Sequence, residues 1–265
     1  MSNIQYLSAS AVDEAAAKVK GAQDGALLAG GMTLLPSIKL GLSSPSDLVD
    51  LAGIGDLAGI SVDGDTVTIG AMTCHADVAN SSDVPAALAA LADGIGDRQV
   101  RNRGTIGGSL ANNDPAADYP AACLALGATI NTDQRSISAD DFFTGFFETA
   151  LGEGEIIKSI SFPSADKAAY QKFTNPASRF ALVGVFVASG SDGVRVAVTG
   201  CGQGGVYRET GLEDALGGSF SADALDGKTV SSDNLMSDIH AAADYRAHLI
   251  VEMAKRAVAA CGKVV

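Results

Sequence analysis

The apolar run Ala26-Leu27-Leu28-Ala29 ends abruptly at Gly30-Gly31, and a second glycine pair, Gly107-Gly108, lies between Thr105-Ile106 and Ser109. Paired glycines commit a chain to tight turns or close backbone approach at those points, because only glycine tolerates the angles and distances involved. The first pair reads as a buried strand feeding a tight loop. Backbone N–H groups in such a loop can converge on an anion such as a phosphate, or the segment is an ordinary strand-to-helix turn. Both readings stand on the residues alone. The second pair is flanked by the hydroxyls of Thr105 and Ser109, and two such loops in one chain suit a diphosphate. Arg101 and Arg103 either add charge there or are simply solvated.

Around these loops the pattern mixes periods. Val12, Ala15, Ala16 and Val19 follow helical spacing over Ser10 to Lys20, with Ser10 as the expected N-cap and Asp13 three residues on. Asp47 to Leu51 is a strand candidate, so the first fifty residues make a small β-α-β unit with a glycine loop at a strand end. Beyond Gly59, Ile60-Ser61-Val62 and Thr66 to Ile69 alternate about an Asp63-Gly64 turn, a hairpin pattern that opens a new domain. Helices are expected at Pro85 to Ala92 and at Pro120 to Leu126, the latter stopped by Gly127. Further strands are expected at Ala128 to Thr132, Glu155 to Phe162, Val183 to Ser189 and Val194 to Thr199. A long Ala-rich helix follows from Ile239 to Ala260. These divide the chain into three α+β pieces, 1–57, 58–164 and 165–265.

Charge and composition exclude several functions. With 18 Lys plus Arg against 31 Asp plus Glu, the net charge of −13 repels phosphate backbones and anionic membrane surfaces, and 5% aromatics with no Trp supply no base-stacking platform. No nucleic-acid partner is expected. The N-terminal Met1 to Tyr6 lacks a leader pattern, and no apolar stretch reaches the roughly 18 residues of a spanning helix, so no membrane span and a cytoplasmic, soluble protein are expected. Cys74, Cys123, Cys201 and Cys261 are too scattered for an iron–sulfur ligand run, and His75, His240 and His248 suggest no metal site.

Two more segments carry chemistry. In Asn112-Asn113-Asp114-Pro115-Ala116-Ala117-Asp118-Tyr119-Pro120 the acids lie four apart, and a carboxylate accepts strongly from ribose hydroxyls. Asp114 either contacts a ligand or caps a helix at Pro115, whereas capping suits Asp118 less well. Gly200-Cys201-Gly202-Gln203-Gly204-Gly205 satisfies GxGxxG. The strand with a terminal acid that a Rossmann site needs about 20 residues later is missing, so a strand-to-helix turn is preferred.

Taken together, AGGMTLLP from Ala29 to Pro36, TIGGS from Thr105 to Ser109 and NDPAADYPAACLALGA from Asn113 to Ala128 resemble the medium subunit of carbon monoxide dehydrogenase-like molybdenum hydroxylases and the FAD domain of xanthine dehydrogenase. The resemblance continues through Tyr170 to Phe173, Asn175 to Ala181 and Ala243 to Leu249. It implies an α+β fold: a two-part FAD-binding fold followed by a smaller C-terminal α+β domain. It implies FAD in this chain, with the diphosphate against Leu28, Ala29, Gly30, Gly31, Met32, Thr33, Leu34 and Leu35 and against Thr105, Ile106, Gly107, Gly108 and Ser109. Asp118 would hold the adenosine ribose with Asp114 nearby, Lys172 would lie near the flavin, and Ile95 and Ile157 would be apolar neighbours of the adenine or the ring. Phe180 either covers the isoalloxazine or is a core aromatic.

The partners implied are a large subunit with a molybdopterin cofactor and a small subunit with two [2Fe–2S] clusters, commonly as a dimer of heterotrimers. This chain would pass electrons from those clusters via FAD to an external acceptor, with no catalytic acid or base and no metal of its own. Positions 32 and 33 are Met and Thr where relatives often carry a polar pair, which leaves the loop backbone as the working part. Two rivals are a stand-alone flavin oxidase, for which the chain has no substrate domain, and an assembly subunit that has lost its flavin.

Overall fold

Short strands and helices condense onto three principal sheets in the computed structural model, which describes residues 4–261 and is α+β throughout. Residues 1–3, within the segment read above for a leader, lie outside the described residues. The chain begins with β1 (Gln5–Ser8), α1 (Val12–Gly21), β2 (Gly25–Leu28), α2 (Leu34–Lys39) and β3 (Asp47–Asp50). These strands form a parallel sheet in the order β1-β3-β2, with Val49 of β3 and Ala15 of α1 fully buried between sheet and helix. The helix starts one residue later than its sequence pattern suggests. Ala11 is the N-cap, and Glu14 rather than Asp13 turns back, its carboxylate accepting from the Ser10 N–H and hydroxyl, both at 2.8 Å. Strand β2 ends at Leu28, and Gly31 turns the chain with φ +74° into α2.

The second sheet opens with the hairpin β4 (Ile60–Asp63) and β5 (Thr66–Gly70). Its loop is Gly64-Asp65, one residue beyond the expected turn, because Asp63 still pairs with Thr66 and Gly64 takes the positive φ of +54°. There follow α3 (His75–Asn80), α4 (Ala86–Asp93), α5 (Arg98–Arg101), α6 (Ile106–Asn112) and α7 (Tyr119–Leu126), then β6 (Thr129–Thr132), β7 (Ser136–Ser138), α8 (Ala139–Phe142), the small hairpin β8 (Phe143–Gly145) and β9 (Glu148–Thr149), and β10 (Ile157–Pro163). The sheet order is β4-β5-β10-β6-β7, so the last strand made occupies the centre. Every residue of α7 is buried, and it stops at Gly127 with φ +63°. Asp114 caps no helix at Pro115; its Oδ1 accepts from the Ala116 N–H at 2.9 Å in a local turn.

The third sheet, β11 (Lys167–Thr174), β12 (Ala181–Gly190), β13 (Gly193–Thr199) and β14 (Tyr207–Arg208), is antiparallel in that order and is covered by α9 (Thr210–Gly218) and α10 (Ala243–Ala260). Strand β12 is buried on both faces. Val183, Val185 and Val187 meet Ile250 and Met253 of α10, whereas Phe186 and Ala188 join the core of the second sheet. Its near-continuous apolar run is therefore that of a strand clasped between two layers. Helix α10 begins at Ala243, not Ile239, because Asp238 accepts from the N–H groups of His240 and Ala241 and holds those residues in a side-chain-bound turn. The Gly200–Gly205 segment joins β13 to β14, strand to strand rather than strand to helix, and a Cβ on Gly200 would stand 2.6 Å from the Ala181 carbonyl oxygen.

Candidate binding site

The two glycine loops come from different sheets and touch. A Cβ on Gly30 would stand 2.8 Å from the α-carbon of Gly104, and one on Gly108 would lie 3.5 Å from the Ala29 methyl. Their junction opens into a cavity of about 480 Å³, within the range of small-molecule sites. The first sheet contributes the loop after β2, the second contributes the start of α6, the segment Ile95-Gly96 and Leu151 with Glu155 to Ile157, and the turn Ser178 to Phe180 between β11 and β12 forms a further wall.

The loops are built differently. The N–H groups of Gly30, Gly31, Met32 and Thr33 have no hydrogen-bond acceptor among the described residues. In the second loop the donors are used: Ile106 N–H goes to Thr73 O, Gly107 N–H to Ala71 O at 2.8 Å, Gly108 N–H to the Thr105 hydroxyl that caps α6, and Ser109 N–H to Thr105 O. Backbone donors without an acceptor are thus found in the first loop, while the second brings backbones close together. A Cβ on Gly107 would lie 2.8 Å from the Ala71 carbonyl oxygen, so that glycine serves packing.

Three acids line the cavity, and two carry a dedicated cation. Glu155 accepts from Arg135 Nε and Nη2, both at 3.1 Å, and from the Thr132 hydroxyl, and Arg135 above all holds its pKa down to about 2. Asp118, at the N-cap of α7, makes no cap bond; it pairs with Lys172 at 3.1 Å and accepts from the Tyr170 hydroxyl. Burial raises the pKa of its carboxyl, with Lys172 and Tyr170 opposing. Burial likewise raises Asp114, against the Ala116 N–H. Lys172 donates to Gly94 O, Asp118 Oδ2 and Arg179 O, which saturates its three N–H groups and ties β11, α7, the α4–α5 loop and the β11–β12 turn together. Arg179 itself sits at φ +64°, in the left-handed region.

Of the residues named from the sequence, Ala29, Gly30, Gly31, Met32, Thr33, Leu34, Ile95, Thr105, Gly107, Gly108, Ser109, Asp114, Asp118 and Ile157 line the cavity. Leu28, Leu35, Ile106 and Lys172 do not. Leu28 and Leu35 flank Gly31, Ile106 is fully buried, and Lys172 stands behind Asp118. Phe180, half exposed, is a wall residue rather than core. Arg101 is not a lining residue; it pairs with Asp93 and supports the wall from behind by donating to Ile95 O. No residue of Gly200–Gly205 reaches the cavity.

Sequence reasoning missed His75, Glu155 and Arg179, all on the cavity wall. His75 is 5% exposed, its ring lies 5.3 Å from that of Tyr119, and burial, with Arg101 adding, pushes its pKa down to about 4. Only the Cys74-His75 pair hinted at it, and that pair reads as local. Among the described residues no cluster of three His, Cys, Asp or Glu gathers to hold a metal, and no helix is long and apolar enough to cross a membrane.

Residues 2–165 match the family described as FAD binding domain in molybdopterin dehydrogenase. The nicotine 6-hydroxylase medium subunit of Paenarthrobacter nicotinovorans is 34% identical over 276 residues, covering 98% of this chain and 97% of that protein. The carbon monoxide dehydrogenase medium chain of Hydrogenophaga pseudoflava is 35% identical over 253 residues, covering 89% and 88%. Among solved structures, carbon monoxide dehydrogenase from Hydrogenophaga pseudoflava lacking the Mo-pyranopterin moiety superposes with a TM-score of 0.83 at 34% identity, covering 98% of this chain and 97% of its own. Reconstituted CO dehydrogenase from Oligotropha carboxidovorans gives 0.88 at 29% identity, covering 97% and 96%.

Proposed function

The chain belongs to the FAD-binding domain family of the molybdopterin dehydrogenases, and from that premise we propose that it is the FAD-carrying medium subunit of a molybdenum hydroxylase. The observation that carries the proposal is the junction of the two glycine loops. The residues Gly30 to Thr33, whose four N–H groups have no acceptor among the described residues, line the cavity where Gly104 and Gly108 approach the same loop without side chains. Oriented N–H groups with no internal partner are what a diphosphate satisfies.

Leu28 to Leu35 and Thr105 to Ser109 would hold the diphosphate, with Leu28, Leu35 and Ile106 acting from behind as supports for the loops. Asp118 and Asp114 would accept from ribose hydroxyls, and Ile95, Ile157 and Phe180 would offer apolar surface to the rings. Lys172 acts on the site through Asp118, which it holds in place. By pairing with Glu155 and Asp118, Arg135 and Lys172 cancel charge that would otherwise repel a diphosphate. FAD, when bound, supplies the redox chemistry that links one-electron and two-electron carriers, and this chain binds, orients and shields it.

The division 1–57, 58–164 and 165–265 is part of the same reading, supported by three sheets with three apolar cores. A large subunit carrying the molybdopterin cofactor and a small subunit carrying two [2Fe–2S] clusters complete the complex, as a dimer of heterotrimers in the cytoplasm. Substrate choice lies with the large subunit.

The test is purification of the native assembly through a tag on this chain, with visible spectroscopy, mass spectrometry of the acid-released cofactor, metal analysis and mass determination of the complex. One FAD per chain together with molybdenum and iron is expected. A preparation that releases no FAD and takes none up on titration would overturn the reading in favour of an assembly subunit.

A further inference from the structure

His75 is a buried polar side chain on the cavity wall without a single hydrogen-bond partner among the described residues. Its Nδ1 is sealed, and its Nε2 faces Gly104, where a Cβ would stand only 2.6 Å away. Gly104 is itself a cavity-lining residue beside Gly30. Its missing side chain therefore lets the imidazole pack against the backbone at the edge of the loop junction.

A neutral imidazole carries one proton, and the two tautomers are not equivalent here. With the proton on Nδ1, a donor would be buried with no acceptor while the Nε2 lone pair faced the seat of an anion. With the proton on Nε2, the sealed nitrogen is an unfilled acceptor and the donor points to the side from which a ligand arrives. Unpaired buried N–H groups are the rarer and costlier of the two defects. The backbone fixes the ring as well, since His75 N–H donates to Gly104 O at 2.9 Å and the ring rests on Tyr119.

We propose that His75 is a cofactor-binding residue, held as the Nε2–H tautomer, which donates to an acceptor atom of the FAD seated between the glycine loops. This rests on the FAD reading above and adds a residue to it. The lack of a protein partner for Nε2, its place on the cavity wall against Gly104 and the burial of the ring are explained together: the partner of Nε2 is the ligand, while Nδ1 stays an unfilled acceptor.

Two measurements test it. In the full chain labelled with ¹⁵N-histidine, His75 is identified among three histidines by its absence in His75→Gln, and its ring nitrogens should report the Nε2–H form at neutral pH; the Nδ1–H form would overturn the proposal. In the tagged assembly, stripped of flavin and titrated with FAD, His75→Leu should bind about tenfold more weakly or worse, as expected for loss of a hydrogen bond to a charged or strongly polar acceptor. His75→Gln, whose amide can place an N–H near Nε2, should recover most of that loss even if both variants melt earlier. Equal FAD affinity in wild type and His75→Leu would overturn the proposal, as would equal weakening in both variants. Wild-type assembly that takes up no FAD at all would instead sink the FAD reading itself.

Discussion

Adjacent glycines in one short helix should fail in opposite ways when each is replaced by alanine. Gly107 and Gly108 both lie in α6, and neither has a positive φ, so the backbone admits alanine at each. At Gly107 the new methyl would stand 2.5 Å from the Ala71 Cβ and 2.8 Å from its carbonyl oxygen, the same oxygen that accepts the Gly107 N–H. Those atoms belong to the residue that follows β5, whose N–H is tied to Lys158 O, and cannot swing aside. Overpacking of this kind destabilises by about 1–3 kcal/mol, and stretching the backbone bond adds roughly 1 kcal/mol. At Gly108 the methyl would meet the Thr105 hydroxyl at 2.9 Å and the Ala29 methyl at 3.5 Å. The gain in helix propensity, about 1 kcal/mol, then offsets a disturbed cap of similar size. Gly107→Ala should therefore shift the urea midpoint strongly and Gly108→Ala hardly at all, while FAD titration of the tagged assembly should show Gly108→Ala weakened at least tenfold by the narrowed junction. A Gly108→Ala protein with native FAD affinity, or a Gly107→Ala protein with native stability, would refute the division of labour between packing and ligand access.

Asp118→Ala should weaken FAD binding by about 1–3 kcal/mol in the same titration, the size of a lost hydrogen bond to a charged acceptor; unchanged affinity would leave Asp118 a purely structural partner of Lys172. Lys172→Met strands a buried carboxylate and should lower unfolding free energy by about 3–5 kcal/mol, with Asp118→Asn added to it recovering part of the loss in a double-mutant cycle; strict additivity would show that the pair is not coupled. Acid should destabilise the chain in two steps. His75 is held near 4 against an ordinary value of 6.5, so the unfolded chain binds the extra proton and stability falls as pH drops from about 6.5 towards 4, by at most about 3 kcal/mol. Glu155, held near 2 against 4.5, gives a second loss below pH 4.5. Denaturation of His75→Gln across this range should lack the first step; an unchanged profile would remove His75 as its cause.

The elements were largely legible because their signals are local. The alternation at Ile60 to Ile69, the Gly127 stop and the apolar run of β12 each follow from a handful of neighbouring residues. Where two local signals competed, the pattern misled. The Asp238 carboxylate took the N–H groups that would have extended α10 backwards, and the longer side chain of Glu14 reached Ser10 where Asp13 did not. The site was legible as loops and not as a network. Nothing near Lys172 in the sequence indicates that its ammonium is shared among Gly94, Asp118 and Arg179, or that Gly104 lies against a histidine from another helix. Those are long-range facts, set by how the sheets come together.

The order of strands in the second sheet also dictates when the site can exist during synthesis. Strand β5 and strand β6 meet only through β10, whose residues leave the ribosome about thirty positions after β6 is complete. The wall at Ser178 to Phe180 comes later still, and it is anchored by β12, one of whose faces closes the core of the second sheet. A nascent chain halted at Leu151 would expose the buried helix α7 on an incomplete sheet, a surface prone to aggregation and a client for chaperones. Flavin capture must accordingly be a late event that waits for β12 to emerge, and the supply of cofactor at that moment sets a kinetic contest between loading and misassembly.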